Sequence, residues 1–300
     1  MNIANESGSA EVVKTKVGEV SLPVDPQTSV NNHFQAAATD WEHIYQAATV
    51  RGRIYQDRME TTLRWIEELG LPATAHLLEI GCGAGFATVA LARRGYRIDA
   101  LDSVPAMINL TSKRLVEAGA AERVRIVQAD VRHLPMPDNS LDLVFALGVL
   151  PWLDDPVAAI REMARVTRPG GYVLVSADHS VHLDEVLDPV QAPILRPVRR
   201  RLASALRAAK LLPPAPQSPK IHRHSRREID YILSGACLNK LRNVMLGFGP
   251  FTLCGKSFLP ESVGVKLHRL LQAGANRKLP IVSFYGMQYL VMSKKCTRVH

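Results

Sequence analysis

The stretch Leu77-Leu78-Glu79-Ile80-Gly81-Cys82-Gly83-Ala84-Gly85 decides the fold. Its first half, starting at His76, is a short and mostly apolar run that reads as a buried strand. Gly81, Gly83 and Gly85 then force a turn, and Phe86 to Arg94 reads as a helix ended by Gly95. A strand that passes through a glycine-rich turn into a helix offers free backbone N–H groups to a ligand, and the missing Cβ atoms let the ligand come close. The spacing is G-x-G-x-G, with Phe86 standing where the dinucleotide fingerprint G-x-G-x-x-G places its third glycine.

Working outward, the same alternation repeats. Tyr96 to Leu101 reads as a strand ending at Asp102, Pro105 to Gly119 as a helix, and Val124 to Gln128 as a strand ending at Ala129-Asp130. Leu141 to Leu147 is a fourth strand, Pro156 to Val166 a helix, and Tyr172 to Ala177 a fifth strand after the turn Arg168-Pro169-Gly170-Gly171. Strands alternating with helices of this length imply a Rossmann-like α/β fold, a mostly parallel sheet with helices on both faces. Ligands of such sheets lie beyond the carboxyl ends of the strands at the switch point. Those ends carry Glu79, Asp102 and Asp130. Three carboxylates around one glycine cradle suit hydroxyls and a cation, and they repel a pyrophosphate. S-adenosylmethionine has a ribose, an ammonium and a sulfonium but no phosphate. The electrostatics favour it over NAD(P), the alternative that would make the protein an oxidoreductase.

With these residues in view, the sequence resembles the class I S-adenosylmethionine-dependent methyltransferases, in particular the small-molecule group that includes the ubiquinone and menaquinone enzymes. The resemblance rests on Glu79–Gly85, Ala100–Ser103, Gln128–Val131, Leu141–Leu150, Glu162–Val166 and Arg168–Gly171. It implies cofactor contacts at Glu79, Gly81, Cys82, Gly83, Gly85, Asp102, Ser103, Met107, Asp130, Val131 and Leu147, with Asp102 as the ribose acid and Cys82 as a small turn residue. It implies methyl transfer to a small-molecule acceptor, apolar or lipid-linked, at oxygen, nitrogen or carbon. A cofactor-binding assembly partner without catalysis is a further alternative. Many relatives have a histidine where Pro151 stands. The Asn-Pro-Pro-Tyr signature of nucleic-acid amine methylation is absent, so a nucleic-acid acceptor is not expected. A hydroxyl acceptor needs a base, and His179, just past the fifth strand, is the first choice among His179, His182, His33 and His43.

The resemblance also divides the chain. Residues 1–30 are expected as a disordered tail and 31–72 as an N-terminal helical lid. In the lid, Tyr45 and Tyr55, with Trp41, either pack together or touch the cofactor. Residues 73–180 form the cofactor-binding core, 181–235 a basic, proline-containing insertion, and 236–300 the closing helix and strands, ending in an antiparallel hairpin. Composition is that of an ordinary globular protein: 300 residues, 47% apolar and 22% charged. The four cysteines, at 82, 237, 254 and 296, have no zinc-ligand spacing and suggest no disulfide framework. With no secretory leader evident, a reducing cytoplasm is the expected compartment.

The net charge of +9 is uneven. Ten basic residues and no acid lie between Arg196 and Arg227, so the remainder of the chain is close to neutral. Within this segment Val198, Leu202, Ala205, Leu206, Ala209 and Leu212 recur at helical spacing. The reading is a basic amphipathic helix that either caps the active site or lies on an anionic membrane surface.

Overall fold

Strand β1 (His76–Ile80) forms because its neighbours bury it on both faces. Leu77 faces one hydrophobic cluster, while Leu78 and Ile80 face another on the opposite side of the sheet. A computed structural model describes residues 26–213, 219–254 and 256–297. In chain order its helices and strands are α1 (Pro26–Ala36), α2 (Ala38–Ile44), α3 (Val50–Glu67), β1, α4 (Phe86–Arg93), β2 (Arg97–Asp102), α5 (Pro105–Glu117), β3 (Val124–Gln128), β4 (Leu141–Ala146), α6 (Pro156–Val166), β5 (Thr167–Asp178), α7 (Leu183–Leu187), α8 (Arg196–Ala208), α9 (Arg226–Gly235), β6 (Leu238–Leu246), β7 (Thr252–Leu253), β8 (Lys256–Ser257), α10 (Glu261–Asn276) and β9 (Gln288–Lys295).

The main sheet has the order β3-β2-β1-β4-β5-β9-β6. Strands β1 to β5 pair in parallel, and β9 alone runs against its neighbours β5 and β6. The order reverses between β1 and β4, so the crevice opens above the carboxyl end of β1. Alternation along β4 shows how the two layers are filled: Leu143 and Phe145 join α3 and α4 on one side, while Val144 and Ala146 join α6 and α9 on the other. The expected α/β architecture with a reversed closing strand is therefore present. The closing pair is not a tight hairpin, because the β7–β8 ribbon and α10 lie between β6 and β9.

Several boundaries differ from the sequence reading, each for a local reason. The helical lid consists of three helices, and Thr49 starts the third, α3, by accepting a hydrogen bond from the Gly52 N–H. Most of the expected tail, residues 1–25, lies outside the described residues, and α1 begins at Pro26. Strand β6 starts at Leu238 because its first residues pair with the end of β9. Helix α9 starts with a capping box, with Ser225 and Glu228 bonded reciprocally. It buries Ile229 and Leu233 in the core, so it belongs with the sheet rather than with the basic insertion.

The lid is bolted to the far end of the chain. Glu261, in the first turn of α10, accepts the Val50 N–H at 2.8 Å. The Nε2 of His268, fully buried on α10, lies 2.7 Å from Asp57 Oδ2 on α3, and its Nδ1 accepts the Phe248 N–H at 3.2 Å. Removing this ring leaves the largely buried Asp57 carboxylate with Arg53 alone and the buried Phe248 N–H without its acceptor. His268→Ala is expected to lower the unfolding free energy by roughly 2–4 kcal/mol in a urea titration.

Candidate functional site

The site begins at the turn after β1. Gly81 and Cys82 both donate their N–H groups to the carbonyl of Leu101, at 2.7 and 3.0 Å, which folds the turn over the end of β2. Gly81 has φ of +67°, and a Cβ there would lie 2.4 Å from Val149 Cγ2, so no other residue fits. The Gly83 N–H donates to Asp102 Oδ2 at 3.0 Å, and the Val104 N–H donates to Asp102 Oδ1 at 3.0 Å. Backbone donors thus fix the Asp102 carboxylate at the end of β2.

A cavity of about 630 Å³ opens above these strand ends. Its floor carries Glu79, Gly81, Cys82, Gly83, Asp102, Ser103, Met107, Asp130, Val131 and Leu147, so ten of the eleven residues expected to touch the cofactor share one wall. The exception is Gly85, which starts α4 in a left-handed conformation (φ +78°). A Cβ there would sit 3.0 Å from the Thr111 Cα, so this glycine serves the close packing of α4 on α5.

The acids of the floor differ in state. Burial pushes the Glu79 carboxyl up to about 8, and the nearby Asp102 pushes the same way against a hydrogen bond from Thr88 Oγ1. Burial also raises Asp102, against its backbone donors. Burial would raise Asp130 too, but the hydrogen bonds and charge of Arg132 hold it below the usual carboxylate range. The Cys82 thiol is pushed up by burial and by both neighbouring acids, which makes it inert as a nucleophile.

The roof is aromatic. Tyr45 stacks on Phe86 with centroids 4.9 Å apart and meets Tyr55 edge-on at 5.8 Å, while Phe34 meets Trp152 edge-on at 4.9 Å. Both tyrosines therefore pack within the lid and also line the cavity. Helix α1 is anchored beside the floor, because Ser103 Oγ donates to Asn31 Oδ1 and the Ala106 N–H donates to Gln35 Oε1.

Arg58 enters this roof from α3. It is 3% exposed, lies 4.8 Å over the Tyr55 ring and donates from Nη2 to the Tyr45 hydroxyl, yet its Nε has no partner. Sequence reading missed it. The available signal was its position four residues after Ile54, on the buried stripe of α3, where a charged side chain needs a reason.

The end of the cavity near β5 is lined by Trp152, Asp178, His182, Ile221, Arg223 and Gln288. His179, the first choice for a base, is not on this wall: its Nδ1 lies 2.7 Å from the Val181 carbonyl. The chain turns sharply after β5 and brings His182 to the cavity in its place. His182 Nε2 lies 2.8 Å from the His179 carbonyl, which makes that nitrogen the donor and leaves Nδ1 the lone pair. Burial, reinforced by Arg223, lowers His182 to about 4, so the ring is neutral near pH 7. Of the other two histidines considered, His33 lines the cavity and stacks on Trp152, whereas His43 does not reach it.

Comparison with known proteins bears on this geometry. Residues 78–175 match the family model described as a methyltransferase domain. This core is thus similar to methyltransferase domains. The chain is 36% identical over 115 residues to malonyl-[acyl-carrier protein] O-methyltransferase of Serratia marcescens, covering 38% of this chain and 43% of that protein. It is 32% identical over 114 residues to ubiquinone biosynthesis O-methyltransferase of Pseudomonas aeruginosa, covering 38% of this chain and 49% of that protein. The chain thus spans less than half the length of these curated relatives. Among solved structures, magnesium protoporphyrin IX methyltransferase of Synechocystis, with bound S-adenosylhomocysteine, shares the fold with a TM-score of 0.61 at 16% identity, over 90% of this chain and 100% of that one.

The glycine turn and Asp102 lie within the matched methyltransferase domain, while Arg58, His182 and the roof residues Phe34, Trp41, Tyr45 and Tyr55 lie outside it. The buried Glu79 has a consequence for stability. The folded domain keeps the Glu79 proton up to about 8, whereas the unfolded chain loses it near 4.5. Stability of the ligand-free protein is therefore expected to fall as pH rises through that window, by up to about 1.4 kcal/mol per pH unit from this group. Glu79→Gln should flatten that part of a pH series of urea unfolding curves.

Proposed function

We propose that the protein binds S-adenosylmethionine and transfers its methyl group to an apolar small molecule. One observation carries this reading: the floor holds the Gly81–Gly83 turn against a backbone-fixed Asp102, and its acids suit a cation bearing ribose hydroxyls and no phosphate. The residues present fit that cofactor. Asp102 keeps lone pairs for the two ribose hydroxyls. Ser103, Met107, Asp130 and Val131 would hold the adenine end. The unpartnered Nε of Arg58 suits the carboxylate of the amino-acid end, and Glu79 would serve the ammonium. The floor acids, and relatives that are named methyltransferases, weigh against the nicotinamide and assembly-partner readings.

When bound, the cofactor supplies an electrophilic methyl group on a sulfonium. The protein's own work is alignment, which removes up to about 7–11 kcal/mol of barrier in the ideal case. The aromatic roof of Phe34, Trp41, Tyr45, Tyr55 and Trp152 excludes water, and Ile221, Pro250 and Met287 extend an apolar wall for the acceptor. For a hydroxyl acceptor, His182 Nδ1 would take the hydroxyl proton while the methyl leaves the sulfonium sulfur for the oxygen. His179 acts through its carbonyl, which holds that ring in place. The curated relatives named for O-methylation favour an oxygen acceptor. The free cysteines fit a cytoplasmic protein, and the apolar wall fits an acceptor drawn from the inner membrane surface.

Calorimetric titration tests the cofactor. S-adenosylmethionine and its demethylated product are expected to bind and NADH is not; NADH binding without the sulfonium would sink the reading. Asp102→Ala should weaken cofactor binding by about 1–3 kcal/mol. His182→Gln should leave that affinity in place and lower kcat for an oxygen acceptor, found by a screen with radiolabelled methyl donor, by roughly 10²–10⁴-fold. An unchanged kcat would remove His182 from the chemistry.

A further inference from the structure

The basic segment has a feature that the active site does not use. Helix α8 carries Arg196, Arg199, Arg200, Arg201 and Arg207 and no acid, and Val198, Leu202, Ala205 and Leu206 lie on one face. The apolar stripe of a surface helix ordinarily faces the protein core. Here it faces solvent: Val198 is 64% exposed and Leu202 58%. The turn that leads into the helix adds Ile194, 84% exposed. Arg199 flanks the stripe on one side and Arg201 on the other, while Arg200 and Arg207 lie opposite it. Two of these arginines donate to nearby carbonyls, Arg199 to Val190 and Arg207 to Pro213 at 3.2 Å, and among the described residues neither pairs with an acid.

We propose that α8 docks the protein on an anionic lipid surface, with its apolar stripe at the acyl–headgroup boundary and its arginines on lipid phosphates. A lipid surface matches both properties at once. It covers a narrow apolar strip, and it places negative headgroups along both flanks, where long arginine side chains snorkel to reach them. Nucleic acid would meet the charge but leave the stripe uncovered, and the segment from Arg196 to Arg227 has no Phe, Trp or Tyr on which a base could stack. With 13 residues, α8 is too short to span a bilayer and lies along its surface. The same segment returns to the active site, where Ile221 and Arg223 form part of the cavity wall. Docking through α8 therefore brings the cavity rim to the phase in which an apolar acceptor dissolves. That consequence rests on the proposed methyl transfer; the docking itself does not.

The test is co-sedimentation of the full chain with vesicles of phosphatidylcholine, with and without phosphatidylglycerol. Anionic vesicles are expected to bind at least roughly tenfold more protein, and added salt should weaken the binding. Leu202→Glu, and separately Arg199→Glu with Arg200→Glu, should each lose at least roughly tenfold. Both variants should keep their titration with S-adenosylmethionine, because these residues lie outside the cavity wall. Equal partition of the wild type between the two vesicle types overturns the proposal, as does wild-type binding by Leu202→Glu. A wild type that ignores anionic vesicles but co-elutes with an acidic acyl carrier protein overturns it in favour of a protein partner. Vesicle binding with no cofactor binding leaves the docking standing and sinks the enzymatic reading instead.

Discussion

The hydrogen bond from the Gly83 N–H to the Asp102 carboxylate fixes the geometry on which the site depends. It ties the turn after β1 to the end of β2 beside the switch point of the sheet, and the second oxygen of Asp102 is held by the Val104 N–H. A buried carboxylate is costly unless donors surround it. Backbone N–H groups are well suited to the purpose because they carry no net charge and leave the floor negative. The consequence is felt one strand away. Glu79 lies close to Asp102 and shares its burial, and two ionised carboxyls there would repel each other. Glu79 accordingly keeps its proton to about 8, bonded to Thr88.

The rest of the chain builds a closed space above that floor. Helices α1 and α3 reach it from different anchors. The first is tied to the β2–α5 junction through Asn31 and Gln35, and the second to α10 through Asp57, His268 and Glu261. The aromatic roof is thus carried by helices with two independent anchors. Arg58 hangs from this roof over the glycine-rich floor. Gly148, just after β4, makes room for it, since a Cβ there would lie 2.7 Å from its guanidinium. A charge enters an apolar lid without unfolding it because the Tyr55 face and the Tyr45 hydroxyl partly compensate it.

Much of this was legible beforehand. The five parallel strands, the helices between them and the acids at their ends follow from periodicity and glycine placement, which are local properties. The floor residues were legible for the same reason, because each follows its own strand directly. Gly85 was assigned to the ligand and instead packs on Thr111, a contact between helices that no single stretch of sequence displays. His179 was ranked above His182, whereas it is His182 that lines the cavity. They lie three positions apart, and the turn after β5 decides which ring meets the cavity.

The sequence by itself determined the sheet, the glycine turn and the acidic floor, because a strand end and the turn that follows it travel together along the chain. It also located the cationic stretch and its amphipathic spacing. Only the tertiary structure decided what stands above the floor and what faces outward. Arg58 and His182 come from segments far apart in the chain, and the packing of α3 on α10 and the course of the chain after β5 bring both to the cavity. Whether the stripe of α8 is buried or exposed likewise depends on what packs against it, and that is a property of the folded surface. The outward-facing Val198 and Leu202 therefore appear only in the structure, where no core covers them.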